Sequence, residues 1–273
     1  MASFRRCRAR FKWSYIDNYS PASGKGLSRG SIGHKALAQW YTQGCTEQAD
    51  IEAMKLVSSE FGALEASTGE SVDEEFDLMA IIMPRYFDWA RANDNFTEII
   101  EVEKKFDLLL DGHKFTGYID GIVKIKNSIW LLEHKFNKQV STNHIDLDPQ
   151  MSLYMLAAYK MGIEAKGVLF NVIRVAKGGI AEREPVARRQ VFRNTEGLAV
   201  IEREAIIQME EMDEFLDGSN RRVYRNPTGN CPWDCGFFNT CLSINDDGDA
   251  ASALARIPIV PHVSAAEEDK QEE

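Results

Sequence analysis

The sequence predicts an α/β protein with a central mixed sheet flanked by helices, and three observations predict it. The first ninety residues carry mostly helical periodicity. Three runs rich in β-branched and aromatic residues follow at 97–110, 114–126 and 128–136, split by the turns DGHK and KN. A helix opening on Asp148-Pro149 then leads into another apolar run, GVLFNVIRVA. The order helices, three strands, helix, strand combines an antiparallel meander with a crossover through a helix.

The elements are justified in turn. Residues 3–16 read as a helix, with Phe4, Phe11 and Tyr15 set among arginines. DNYSPASGKGLSRG, 17–30, reads as a loop because it concentrates Gly, Ser and Pro. From 31 to 43, Ile32, Ala36, Leu37 and Trp40 fall on one side of a helix. Two further helices are expected near 47–63 and 73–92. After the meander, Asp148 is an N-cap and Pro149 takes the first helical position, where its missing N–H costs nothing. That helix ends at Met161-Gly162. A strand near 187–193, a helix over 196–216 and a cysteine-rich segment complete the chain. The organisation expected is a helical N-terminal region 1–92, a core 93–226, a cysteine segment 227–245 and an acidic tail 246–273, disordered beyond 262. No internal repeat is visible.

The chain has 273 residues, 44% of them hydrophobic, enough for one sizeable core with an added lobe. No run approaches the roughly 18–20 apolar residues that span a bilayer. The basic N-terminus, MASFRRCRARFKW, lacks the apolar stretch of a secretory signal, so no membrane association is expected and the cytoplasm is the default compartment, that of a host if the chain is phage-encoded. The net charge of −10 argues mildly against a nucleic-acid partner, but the charge is uneven. The last twelve residues hold five acids and one lysine, whereas Arg5, Arg6, Arg8, Arg10 and Lys12 crowd one segment. A local basic patch matters more to phosphate than the sum does. This segment reads equally as a track for a DNA backbone or as a solvated helix face.

The chemistry concentrates in FTGYIDGIVKIKNSIWLLEHKF. Asp120 lies on one strand; Glu133 and Lys135 lie on the next, one residue apart, so their side chains share a face. Ile129, Trp130, Leu131 and Leu132 precede them. A buried strand that turns acidic and basic on one face is costly unless the charges are paired or hold a metal. Two carboxylates can hold Mg²⁺ or Mn²⁺. Such an ion acidifies a bound water and stabilises charge on a phosphate, and a neighbouring lysine can orient the attacking water. E-x-K alone would usually be a structural ion pair; preceded by GYIDG at this spacing, the nuclease reading is preferred.

The ordered array resembles the RecB-like branch of the PD-(D/E)XK nuclease superfamily, which includes nuclease domains of bacterial recombination complexes, CRISPR-associated RecB-like exonucleases and phage exonucleases. G-x-x-D matches Gly117-Tyr118-Ile119-Asp120, and E-x-K matches Glu133-His134-Lys135. The branch's Q-x-x-x-Y motif matches Gln150 and Tyr154, four apart on one helix face, and its metal-binding histidine matches His34 in GSIGH. The resemblance implies a restriction-endonuclease-like sheet and DNA, single-stranded or at duplex ends, as substrate. It implies Asp120, Glu133, Lys135, Gln150 and Tyr154 as catalytic residues. It implies a metal on His34, Asp120, Glu133 and the backbone carbonyl of His134. The His134 side chain points to the opposite face and is not assigned to catalysis. Glu103 in EIIEVEKKF matches a frequent acidic position of the family, with no role assigned. An exonuclease serving recombination, repair or phage DNA processing is the implied activity, with a helicase or recombination partner, or a second copy, as further implied associates. The alternative is a non-catalytic nuclease-like DNA-binding or assembly subunit, which the presence of both Asp120 and Lys135 disfavours.

Five cysteines are present, and Cys231, Cys235 and Cys241 crowd eleven residues. Such clustering in a cytosolic chain reads as metal or cluster ligation before disulfides. Iron–sulfur members of the family carry a first cysteine near the N-terminus in a context that RRCRARFKWSYI resembles, which implies Cys7 as fourth ligand of a [4Fe–4S] cluster, with Zn²⁺ as the alternative. The spacing C-x3-C-x5-C departs from the family's C-x2-C-x5-C. Cys45 is the reserve candidate. SGKG at 23–26 lacks the leading glycine and the following Ser/Thr of a phosphate loop and is rejected.

Overall fold

The computed structural model of the chain describes residues 1–21, 25–138, 140, 144–246 and 248–260, and for 25–28 the backbone alone. Ser23 and Gly24 of the SGKG segment and the acidic end from 261 lie outside the described residues. In chain order the helices are α1 (Ala2–Arg6), α2 (Arg8–Phe11), α3 (Lys25–Thr42), α4 (Glu47–Thr68), α5 (Asp73–Asn93), α6 (Pro149–Lys160), α7 (Ile180–Arg183), α8 (Thr195–Asp217), α9 (Cys231–Asp234), α10 (Phe238–Asp246) and α11 (Ala250–Leu254). The strands are β1 (Glu98–Leu110), β2 (His113–Ile125), β3 (Ser128–Asn137), β4 (Ala165–Arg174) and β5 (Val186–Val191). The chain divides into two compact units, Lys25–Ile206 and a second made of Met1–Gly24 with Ile207–Glu273. The three helices between 25 and 93 therefore belong with the sheet rather than forming a region of their own.

The five strands of the larger unit lie in the order β1-β2-β3-β4-β5. β1, β2 and β3 pair antiparallel, β3 and β4 parallel, β4 and β5 antiparallel, which is the expected mixed sheet. The β1–β2 turn puts Asp111 at φ 49° and Gly112 at φ 85°, the left-handed pair that a two-residue hairpin requires and that Asp-Gly supplies. The β3–β4 parallel pair needs a crossover, and α6 provides it. The Asp148 carboxylate accepts from the Gln150 backbone N–H at 2.7 Å, the cap expected from Asp-Pro.

Helices α3, α4 and α5 bury Leu37, Trp40, Val57, Phe61, Met83 and Phe87 against Val123, Trp130, Leu132, Leu169 and Ile173 of the sheet. Each such side chain contributes roughly 1.5–3 kcal/mol by leaving water. The expected loop over 17–30 is shorter, because α3 begins at Lys25. Arg29 explains the difference: it is buried and ion-paired with Glu75 of α5, so this turn is held by packing although its glycines disfavour helix.

In the smaller unit the helix expected over 3–16 is broken at Cys7, whose extended backbone (φ −162°, ψ 115°) caps α2, and it continues as a π-helical turn, Lys12–Ile16. Phe4, Phe11 and Phe215 form one aromatic cluster. The basic segment is largely engaged within the unit: Arg6 pairs with Asp234, Arg8 with Glu211 at 2.9 Å while stacking over Phe4, and Lys12 with Asp17 at 2.6 Å. The reading of 5–12 as a structural face gains from this. From 246 onward a tail was expected, yet Ala250–Leu254 is helical. Asp249 caps it through the Ser252 N–H, and Leu254 is buried with Ala9, Trp13 and Phe237.

Candidate active site

Pairing brings three carboxylates into one row across three adjacent strands. Val102 pairs with Gly121 and Lys104 with Ile119, so Glu103 falls opposite Asp120. Gly121 pairs with Leu132, and one step beyond the end of that ladder Asp120 comes beside Glu133. Like charges opposite each other destabilise a sheet, so the row calls for a counter-ion. Glu103 also stands at φ 49°, left-handed and strained for a non-glycine in mid-strand. His34, Glu103 and Asp120 each bring one donor atom within 4.8 Å of the others. His34 Nδ1 lies 3.3 Å from Asp120 Oδ2, the oxygen that also accepts the His134 backbone N–H at 2.7 Å.

Glu133 stands outside that trio and is held from the other side. Its side chain is 1% exposed, and Lys135 Nζ pairs with its Oε1. Gln150 Nε2 donates to the same oxygen at 3.1 Å and contacts the Tyr154 hydroxyl at 2.7 Å. The second oxygen, Oε2, is buried without a partner. An unsatisfied buried carboxylate oxygen costs several kcal/mol on the order of a lost charged hydrogen bond, and its position beside an N/O donor trio fits a hard divalent cation such as Mg²⁺ or Mn²⁺.

The protonation states diverge as a crowded carboxylate site requires. Burial, with the Asp120 charge, pushes Glu133 up to about 7 against the opposing pull of Lys135. Burial and Asp120 likewise raise Glu103. Asp120 is also penalised by burial, but the His34 hydrogen bond and charge and the His134 amide bring it below its usual value. Burial lowers His34, yet Asp120 and Glu133 outweigh it and the imidazole is raised.

The sequence-expected residues Asp120, Glu133, Lys135, Gln150, Tyr154 and His34 thus meet through contacts among themselves, with His134 contributing its backbone amide. Glu103 joins them through a left-handed strand position that no local pattern announces; its signal is acidic residues in a strand just before GYIDG. The His134 side chain is buried away from this row, among Tyr41, Tyr86 and Asn171.

Within the smaller unit, Cys7, Cys231, Cys235 and Cys241 line one cavity of about 180 Å³, with Arg6, Arg10 and Arg225 around it. Cys7 Sγ accepts from the Arg10 N–H at 3.5 Å, and Cys231 Sγ from the Thr228 N–H at 3.3 Å, which helps to lower the Cys231 thiol. Among the described residues no three cysteine sulfurs lie within 4.8 Å of one another. Tetrahedral zinc at Zn–S about 2.3 Å would set its sulfurs roughly 3.8 Å apart. Cys45 belongs to the larger unit, packs beside its core, and has its thiol pushed up to about 12 by burial, so it is an inert thiol.

No curated protein matches the chain. Among solved structures, a Eubacterium rectale protein provisionally named an exonuclease aligns at 12% identity and TM-score 0.47, over 81% of this chain and 83% of its own. SSO0001 aligns at 16% identity and TM-score 0.35, over 67% of this chain and 77% of its own. Neither likeness is close enough to carry an argument. The family model of the PD-(D/E)XK nuclease superfamily matches residues 1–241, nearly the whole described chain. With its mixed sheet and its Asp120, Glu133 and Lys135 in one cluster, the chain belongs to the PD-(D/E)XK nuclease superfamily.

Proposed function

We propose that the chain is a metal-dependent deoxyribonuclease, an exonuclease acting on DNA ends in recombination, repair or phage DNA processing. The observation that carries the reading is the orphaned Oε2 of Glu133 beside the trio His34, Glu103 and Asp120. These four side chains, with the His134 carbonyl, would hold the ion. A bound divalent cation supplies charge stabilisation at the scissile phosphate and a more acidic water. The chain's own residues do the rest. Lys135, partly exposed beside Glu133, holds the attacking water in line and offsets charge on the phosphate oxygens. Gln150 and Tyr154 keep Glu133 turned so that Oε2 stays available. No described helix is long and apolar enough to cross a membrane.

We propose that the four cysteines lining the cavity, Cys7, Cys231, Cys235 and Cys241, hold a [4Fe–4S] cluster, with zinc as the alternative. Anaerobically purified protein is then brown, with visible absorbance that Cys231→Ala abolishes; a colourless protein carrying zinc overturns this.

The test of the activity is cleavage of end-labelled single- and double-stranded linear DNA, and of a closed circle, with Mg²⁺ or Mn²⁺, by the parent and Lys135→Ala. Degradation of linear DNA by the parent alone, with the circle spared, upholds the exonuclease. A parent that binds DNA but cuts nothing puts the non-catalytic subunit in its place.

A further inference from the structure

Glu133 and Lys135 occupy one face of β3, and the structure uses the residue between them on the other face. The His134 side chain is fully buried there. Its ring stacks on Tyr41 (centroids 5.8 Å apart, planes at 23°) and meets the edge of Tyr86 (5.7 Å, 90°). Asn171, its register partner on β4, donates from Nδ2 to His134 Nδ1 at 3.3 Å. Arg188, the partner of Asn171 on β5, donates from Nε to Asn171 Oδ1 at 2.7 Å. That bond leaves the Asn171 amide group to donate and so makes Nδ1 of His134 the acceptor. Arg188 is ion-paired with Asp94 at 2.6 Å. Asp94 accepts from the Tyr41 hydroxyl at 2.8 Å. Tyr41 and Tyr86 hydroxyls are 2.7 Å apart, and since Tyr41 gives its proton to Asp94, Tyr86 is the donor of that bond; Tyr86 then meets His134 by edge-on packing, its oxygen 3.5 Å from Nδ1.

Six side chains from α3, α5, the start of the loop after α5, β3, β4 and β5 thus form a ring under the carboxylate row, linked by polar contacts from His134 round to Tyr86 and completed where the Tyr86 ring packs on the imidazole. Such a ring is costly in a core, where apolar packing of equal volume stabilises as well or better. It does fix geometry. With its imidazole clamped on both sides, His134 has its backbone amide held in one place, and that amide grips Asp120 Oδ2 at 2.7 Å. The same peptide segment sets where Glu133 and Lys135 project.

We infer that the His134 side chain is a positioning residue of the metal site: through the ring of Tyr41, Tyr86, Asp94, Asn171 and Arg188 it holds the backbone that orients Asp120 and Glu133 for the ion. It touches neither ion nor substrate. The inference rests on the proposed metal site and deepens it. Partners one shell out from a metal ligand typically govern about 10- to 100-fold of metal affinity.

The experiment is direct Mn²⁺ binding, by calorimetry without DNA, for the parent, His134→Leu, His134→Gln, Asn171→Leu and, as a purely structural control, Leu37→Ala. Thermal unfolding is read alongside. His134→Leu and Asn171→Leu are expected to weaken Mn²⁺ by about 10-fold or more. His134→Gln, which keeps an acceptor, regains much of the loss, and Leu37→Ala lowers the unfolding temperature while leaving Mn²⁺ affinity near the parent's. Should His134→Leu fail to fold, Asn171→Leu and His134→Gln carry the comparison. Parent-like affinity in a folded His134→Leu or Asn171→Leu overturns the inference, as does a Leu37→Ala that loses affinity equally. A parent that binds no Mn²⁺ sinks the metal site and the inference together.

Discussion

Glu103 faces Asp120 across the β1–β2 pairing, carboxylate opposite carboxylate, and does so from a left-handed backbone at φ 49°. A strained residue aimed at a like charge is unstable in isolation and reasonable around a cation. Glu103→Gln keeps the shape and removes one charge. It is expected to weaken Mn²⁺ binding and to lower cleavage at limiting metal by about 10-fold or more, while apo stability holds or rises as the repulsion is relieved. Calorimetry and chemical unfolding of the same variant check both halves.

Metal uptake should release protons. His34, Glu103 and Glu133 are all held above their usual values, Glu133 at about 7, and each must shed its proton to bind an ion. Mn²⁺ affinity is therefore expected to rise with pH through neutrality and to fall below it. Titrations in two buffers of different ionisation heat count the protons; affinity flat across neutrality contradicts the assignment.

Gln150 holds Glu133 Oε1 and reaches Tyr154. Gln150→Ala leaves α6 capped by Asp148 and should fold as the parent does. Its rate at saturating metal is expected to drop by about 10- to 100-fold, with little change in DNA affinity measured in Ca²⁺. A variant that cuts at the parent rate removes Gln150 from the site.

His134 gives the protein an acid-sensitive element. Burial holds its imidazole down at about 3, against 6.5 in the unfolded chain. Between those values the unfolded chain binds the extra proton, so this residue's contribution to stability is present above 6.5 and is lost as pH falls toward 3. Glu133 has the opposite slope between 4.5 and about 7, because the folded state holds its proton there. The difference between parent and His134→Leu isolates the histidine. Unfolding temperature against pH should fall less steeply on the acid side in the variant.

Arg29 and Glu75 form a largely buried pair joining α3 to α5. Arg29→Ala leaves Glu75 uncompensated and is expected to cost about 3 kcal/mol in urea unfolding. Exchanging both for methionine should recover most of that loss.

The contrast among these residues explains what the sequence could reveal. Asp120, Glu133 and Lys135 were legible because strand alternation and a two-residue spacing are local. The α6 cap and the Asp-Gly hairpin were legible for the same reason. Glu103 was visible as an acidic residue but not as a ligand, since its direction depends on one backbone angle. The His134 ring joins positions from 41 to 188 through strand register and helix packing, and no single-sequence pattern reports such pairings. The start of α3 lies earlier than local pattern indicates because its glycines favour a loop while the buried Arg29–Glu75 pair, formed across the fold, favours a helix.

The two sides of β3 carry different demands, and a sheet's period of two interleaves them along one short string of residues. Substitutions at Glu133 and Lys135 should leave folded, soluble, silent protein, whereas substitutions at Leu132 and His134 should reduce how much protein survives at all. A library across this strand, scored separately for abundance and for cleavage, would then alternate residue by residue between two phenotypes. A slip of a single residue in pairing with β4 would exchange the two roles wholesale. The register of β3 on β4 is thus inherited as strictly as any catalytic side chain, although no one residue encodes it.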